Sequence, residues 1–547
     1  MLKVALAAAV AASTAPSWSQ DRVAAALRGG SIIVDYRVQP GDTLYGLLRE
    51  GADWKPVALA NNIADPKRLR PGSLIRIPAH LLREQPAVAD VVHAYGDVTV
   101  VRASTETAVP LAGGENVAAG DVVRTGAQSS ATLRFVDGAR VLVRPDSELK
   151  IERLTQSRAG AATTLRLQRG NADSAVPPAT GASAPSRYEM RTPQTNMGVR
   201  GTEFRTATDA AATRLEVLEG RVGARTTARN AAGAESLVAA GFGAVASATG
   251  MTPPRALPSA PTLTDLPERV ERMPLRLSWR SPDSPRVRAQ VFSAEDPPRL
   301  VLDGVFDAAP ARWREDIPDG RYELRVRAID ADGMEGLDTR AAFVLKARPE
   351  PPFIATPAAN AKTIDETVRL AWTRNAAAAR VRLQVADTPD FAQPRVDRSD
   401  LDATEVRIAL PLGTHHWRVA SILADGDQGP FSDAQSFTRI EPPAAPPPAE
   451  PQQHDDGLLL RWPPGASPGA RWQVQVARDA AFTQIVSDQT LSEPQLLLRD
   501  PASGTYFLRV KTIDADGFAG PYGQTQQIEV PSSPWWWLIV PALLLLL

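Results

Sequence analysis

A rhythm of about ninety residues in the second half of the chain limits what it can fold into more than any other feature. Trp279, Trp372 and Trp462 recur 93 and 90 residues apart, each after an apolar run. Nearly the same offsets carry Ala289-Gln-Val291, Leu383-Gln-Val385 and Val474-Gln-Val476, and later Gly320-Arg-Tyr-Glu-Leu-Arg-Val326, Gly413-Thr-His-His-Trp-Arg-Val419 and Gly504-Thr-Tyr-Phe-Leu-Arg-Val510. A unit of that length, repeated three times with strand-like runs around an aromatic, is a domain with its own core. The 547 residues are therefore several domains, and 48 prolines with 37 glycines point to many short strands joined by turns. The fold class read from this is mainly β and multidomain.

The bulk numbers exclude some functions. With 61 basic against 62 acidic side chains the chain has no overall electrostatic call on nucleic acid. There is no cysteine, which removes disulfides, thiolate nucleophiles and thiolate zinc sites together. Residues 1–19 have one early lysine, an apolar run from Val4 to Ala12 and small residues after it, the parts of a secretory signal peptide.

The stretch 34–80 reads as a β-α-α-β unit. Tyr36 and Val38 alternate as a strand, Gly41 turns, Asp42 or Thr43 caps a first helix, Pro56 starts a second, and Leu74, Ile75 and Ile77 form a strand ending at Pro78. Three signatures in order, Tyr36-Arg-Val-Gln-Pro-Gly-Asp-Thr-Leu44, Val57-Ala-Leu-Ala-Asn-Asn62 and Leu69-Arg-Pro-Gly-Ser-Leu-Ile-Arg-Ile-Pro78, resemble the LysM family. The resemblance implies binding of peptidoglycan or another N-acetylglucosamine glycan in a shallow groove between the loops Gly41 to Leu44 and Ile63 to Leu69. The expected glycan-binding residues are Gly41, Asp42, Thr43, Leu44, Ile63 and Leu69.

After a linker at Pro86, the span 91–247 alternates as some nine short strands, enough for one roll or sandwich. Asp137-Gly138 is a hairpin signal inside it. Four motifs in order, Gly120-Asp-Val-Val-Arg-Thr-Gly126, Ala131-Thr-Leu-Arg-Phe-Val-Asp-Gly138, Leu142-Val-Arg-Pro-Asp-Ser-Glu-Leu149 and Gly198-Val-Arg-Gly-Thr-Glu-Phe204, resemble the FecR domain. That resemblance implies a periplasmic module of the kind that passes a signal from an outer-membrane receptor toward a sigma factor. The cytoplasmic helical region and membrane span of those regulators are not expected here, so the regulatory role is not carried over with the fold. Within the last motif Gly198 and Gly201 are read as permitting a turn, Phe204 as an apolar anchor, and Arg200 as a structural brace paired with Glu203 or Asp137.

The repeats at 262–346, 353–440 and 452–531 resemble fibronectin type III or a related immunoglobulin-like sandwich. Asp330-Ala-Asp-Gly333 and Asp514-Ala-Asp-Gly517 lack the completed acidic spacing of a calcium loop and read as hairpin turns. His415 and His416 are adjacent on a strand and point to opposite faces, so no metal site is expected. The proline-rich run 441–451 reads as a stiff spacer, and 535–547, three tryptophans leading into leucines, as a membrane-associated tail.

No catalytic residue, metal or cofactor is expected, because no nucleophile elbow, HExxH helix or phosphate loop is present. The expectation is an exported, non-enzymatic protein of the periplasm or cell envelope. It binds peptidoglycan through the LysM-like module and presents the FecR-like block to an unknown envelope protein. The alternatives are a regulator relaying a periplasmic signal to a sigma factor, and, last, a peptidoglycan-active enzyme.

Overall fold

The computed structural model describes residues 33–157, 160–178, 187–228, 235–307, 309–464, 468–530 and 532. The expected signal peptide at 1–19 and the apolar tail at 535–547 lie outside the described residues. The chain divides into two compact units, Met1–Lys346 and Ala347–Leu547. Among the described residues the elements are almost all strands, in several separate sheets, so the chain is mainly β and multidomain. No described helix is long and apolar enough to cross a membrane, which says nothing of a β-barrel crossing.

The first unit begins with the small module. Strands Ile33–Arg37 and Leu74–Pro78 pair antiparallel, and helices Leu44–Leu47 and Lys55–Ala60 lie between them in sequence. Alternation sends Val34, Tyr36, Ile75 and Ile77 into the core, as a half-buried strand requires. Thr43 caps the first helix, its hydroxyl oxygen accepting from the Gly46 N–H at 3.0 Å. Asn61 ties the second helix to the second strand: its amide donates to the Val57 and Arg76 carbonyls and accepts from the Arg76 N–H.

A closed barrel follows, from Gln85–Pro86 to Arg255–Ala256. Its spine is the 17-residue strand Gly160–Val176. The first half of that strand pairs with Glu148–Ser157 and, in parallel, with Arg187–Arg191; the second half pairs with Arg140–Val143 and Thr202–Thr208. The change of partners falls at Gly170, whose φ is +89° and where a Cβ would sit 2.6 Å from the Ser147 Cα. Only glycine fits there. One face of the barrel strands fills a core that includes Phe135, Leu149, Ile151, Leu165, Met197 and Phe204.

The barrel has more strands than the nine expected, because short pieces such as Ala108–Pro110 and Asn116–Ala118 pair inside what reads as polar loop. Pro86 is not in a linker either. Gln85–Pro86 adds to the barrel beside Thr155 and Gln156, and Glu84 just before it takes ion pairs from Arg153 and Arg187. The small module keeps its own two-stranded sheet, and the chain that leaves it enters the barrel within a few residues.

The unit ends in the first sandwich. Its main sheet runs, in order, Arg269–Val270, Thr339–Leu345, Gly320–Ala328, Val287–Ser293 and Leu300–Phe306. Trp279 and Trp313 are buried and both pack on Phe306. Leu300–Phe306 is the edge strand.

The second unit holds two more sandwiches of the same plan. In one, Arg380–Ala386 pairs with Gly413–Ile422 and with the edge strand Val396–Leu401. In the other, Arg471–Ala477 pairs with Gly504–Ile513 and with the edge strand Ile485–Leu491. The Asp-rich motifs are turns in all three sandwiches. Gly333, Gly426 and Gly517 have positive φ, and Asp330 Oδ1 accepts from the N–H groups of Asp332 and Met334.

The segment 441–451 does not stand free as a spacer. The Thr512 hydroxyl donates to the Ala444 carbonyl at 2.9 Å, the Gln526 amide donates to the Ala449 carbonyl at 2.8 Å, and Ala449 is buried. Its prolines offer no N–H to pair with these two carbonyls, and the sandwich that follows supplies the donors.

Candidate functional site

The two loops of the small module meet. The Leu44 N–H donates to the Pro66 carbonyl at 2.7 Å, which sets the turn after the first strand against the loop before the second. Gly41 stands at the mouth of this contact, exposed, with φ +86° and open space where a Cβ would be. Thr43 and Ile63, in the same two loops, are half-buried. These three offer the backbone and the small apolar surface that an acetamido sugar requires.

The other expected glycan residues are turned inward. The Asp42 carboxylate is buried and accepts from the Tyr36 hydroxyl at 2.5 Å and from the Gln39 N–H at 2.7 Å, so it fixes the turn. Leu44 is fully buried and Leu69 nearly so, both in the module's core. Sequence motif alone does not separate these supporting residues from surface ones. Conversely, Tyr45 is half exposed, its ring tilted on Trp54 with centroids 5.7 Å apart. Its helical offset from the buried Leu44 and Leu47 is the signal that places it outside.

In the barrel's last motif the glycines have different jobs. Gly201 turns with φ +60°, and a Cβ there would lie 3.0 Å from the Pro178 Cα. Gly198 is instead an extended residue of strand Thr195–Val199, opposite Gly223, with nothing crowding it. Phe204 is fully buried, edge-on to Tyr188. Arg200 is exposed, and among the described residues no carboxylate pairs with it. Asp137, one expected partner, accepts from the Ala139 N–H in its own hairpin. Glu203, the other, has its pKa raised by burial and by Glu219, with Arg340 opposing.

The bracing arginines are others. Arg144, 2% exposed, donates through both terminal nitrogens to the two Glu335 oxygens at 3.2 and 3.1 Å, and through Nε to Asp303 at 3.3 Å. Glu335 also accepts from Arg288 at 2.6 Å and from Arg327 at 2.5 Å, and Arg288 pairs with Asp303. Arg205 donates to the Gly336 carbonyl at 2.6 Å, while the Glu335 N–H donates to Glu216 at 2.8 Å. Arg144, Arg205 and Glu216 belong to the barrel and the rest to the first sandwich. The charges are therefore buried between two domains, where each survives only because it is paired.

The ionisation of the group follows from that crowding. Burial pushes the Glu335 carboxyl up, but Arg144, Arg327 and Arg288 together hold it well below the usual carboxylate range. Asp303 is likewise lowered, burial being outweighed by Arg144 and Arg288. Glu216 goes the other way: burial pushes it up to about 7 against the pull of Arg205, whose nearest nitrogen is 3.8 Å away. A cleft of about 460 Å³ opens beside Arg144, between Gln128 and Trp313. No cluster of histidine and carboxylate side chains suited to a metal occurs among the described residues. His415 is buried, with Nδ1 3.0 Å from Asp387 and Nε2 2.9 Å from the Pro411 carbonyl.

Nothing local in the sequence marks Arg144, Arg205 or Glu335, since the partners lie in different domains. Comparison with known proteins matches two stretches to families: residues 36–78 to the LysM domain, and 121–223 to the FecR protein family. No curated protein matches. Among solved structures, a candidate anti-sigma factor from Parabacteroides distasonis is 14% identical with a TM-score of 0.21, over 25% of this chain and 59% of that one. The chain thus spans under two thirds of that protein. The chicken CNTN1 FN1-FN3 domains are 14% identical with a TM-score of 0.25, over 50% of this chain and 98% of that one. The fibronectin(III)-like modules of Clostridium thermocellum CbhA are 13% identical with a TM-score of 0.23, over 33% and 93%.

Proposed function

We propose that the protein is an exported, non-enzymatic component of the periplasm or cell envelope that holds peptidoglycan through residues 36–78 and uses its FecR-like domain for protein recognition. One observation carries the glycan reading. The LysM match coincides with two loops joined at Leu44 and Pro66, leaving Gly41, Thr43 and Ile63 at the surface. A small neutral sugar needs backbone donors and carbonyls beside a short apolar patch, and this is what the loops present. Both matched families, LysM and FecR, are binding or regulatory rather than catalytic, which supports a role without turnover. The expected signal peptide and apolar tail support export and membrane association.

Co-sedimentation of the full chain with intact sacculi tests the reading. Ile63→Asp should reduce bound protein about tenfold, beyond any loss accounted for by the melting temperature measured alongside, since Ile63 also packs on the module's core. Equal sedimentation of the variant and the wild type would remove the groove from consideration. The FecR match favours a second reading, in which the protein relays an envelope signal. Recovery of a sigma factor or its regulator by crosslinking in cells would shift the balance to it.

A further inference from the structure

The three sandwiches share one side-chain arrangement. On neighbouring strands, Gln290, Gln384 and Gln475 each stand opposite an aspartate, Asp303, Asp397 and Asp488, and donate to it at 2.7, 3.0 and 2.8 Å. In each, an arginine of the next strand donates to the same glutamine: Arg418 and Arg509 from the position directly opposite it, and Arg327 from two positions further on, since Arg325 stands opposite Gln290. The position after the Asp-rich turn differs. There the backbone folds back in the same way, Glu335 bridging Ile329, Gln428 pairing with Ile422 and Ala519 bridging Ile513. An acid stands there only in the first sandwich, and that acid is the one Arg144 grips with both terminal nitrogens.

The barrel reads the backbone of the same edge. Gln128 donates its amide to the Asp303 carbonyl at 2.9 Å and faces the Asp303 N–H at 3.4 Å, as a neighbouring strand would. Ser130 donates to the Leu300 carbonyl of that edge strand at 3.0 Å, while Arg205 reaches the Gly336 carbonyl after the turn that follows Gly320–Ala328. Backbone contacts of this kind fit any sandwich edge. The bidentate Arg144–Glu335 pair fits one, because a forked guanidinium matches a carboxylate and is left short of a partner by an amide or a methyl.

We infer that the barrel face around Arg144 and Arg205 is a recognition surface for a β-sandwich edge that presents a carboxylate after its turn, and that Glu335 is the residue by which it selects the first of three alike sandwiches. The partner class of the FecR-like domain is thus a β-sandwich, met here within the same chain. This inference does not depend on glycan binding, and sacculus sedimentation would be unaffected by its failure.

Hydrogen exchange on the full chain, followed by mass spectrometry of peptides, tests it through a mutant cycle. Glu335→Gln gives the first sandwich the side chain of the second, and Arg144→Gln alters the barrel side alone. Either change should raise exchange at least tenfold over 300–306 and 330–338, while the central strand Gly320–Ala328 keeps its protection. The double variant should raise exchange by less than the two singles combined, since both changes remove the Arg144–Glu335 pair, although Arg144 also loses Asp303 and Glu335 also loses Arg288 and Arg327. Additive losses in the double variant would overturn the inference. So would equal loss across all three segments in Arg144→Gln, because that change cannot act from inside the sandwich.

Discussion

The first and second sandwiches carry the same aspartate and glutamine on the same strands, each glutamine accepting from an arginine, yet one set is sealed and the other is open. In the first, Asp303 lies under the barrel and its neighbours Leu300 and Val301 are 2% and 5% exposed. In the second, Asp397 pairs with Arg382 in contact with water, each side chain 32% exposed, and the edge strand continues through Arg398 and Asp400. Charges on an open edge deter unwanted strand pairing, whereas the covered edge of the first has no such need and is apolar. The third takes neither course: Ile485 and Val486, at the positions of Leu300 and Val301, are 47% and 54% exposed. The same internal relay is compatible with a docked, a guarded or a bare edge, so the edge residues and not the relay decide what each sandwich meets.

The comparison can be broken most forcefully at Arg144. Arg144→Ala leaves Asp303 with one fewer cation in a buried setting, and should cost about 3–5 kcal/mol in urea unfolding of the first unit. A loss near zero would mean that the seal does not depend on the charges. The next effect is one of pH. Glu216 is raised to about 7, so its contribution is full below the ordinary carboxylate range and is lost as pH rises toward 7. Between pH 5 and 8 the first unit should lose on the order of 2–3 kcal/mol, and Glu216→Gln should flatten that slope. Glu335 and Asp303, both lowered, act in the opposite sense and withdraw their support only in acid. The smallest effect is expected at the open counterpart. Arg382→Ala in the second sandwich should cost less than about 1 kcal/mol, measured by the same denaturation, because its pair with Asp397 is solvated.

Much of this architecture was readable from the residues. The period of the tryptophans marks three sandwiches, and the capping, turn and strand signals of the small module lie where Thr43, Pro56 and Ile77 put them. Strand alternation by itself misplaces Arg205. Phe204 faces the barrel core, so its neighbour is expected in water, but Arg205 is 3% exposed because a second domain covers the outer face. For the same reason attention falls on Arg200, in the conspicuous turn, and not on Arg205 at its end. The Arg144–Glu335 contact spans 191 residues and joins two domains, so no local pattern announces it. In the small module, motif positions mix supporting and surface residues, and only geometry shows that Asp42 secures the turn while Gly41 lines it.

The splice at Gln85–Pro86 bears on mechanics. A module on a loose tether turns freely, and whatever it grips conveys no direction to the rest of the molecule. Here a short turn, Ala79–Leu81, leads from the small module to a barrel strand pair, clamped by Glu84 between Arg153 and Arg187. Load applied at the Gly41 turn would pass as leverage into the sheet instead of being absorbed by slack, and the barrel would take its bearing from the object held.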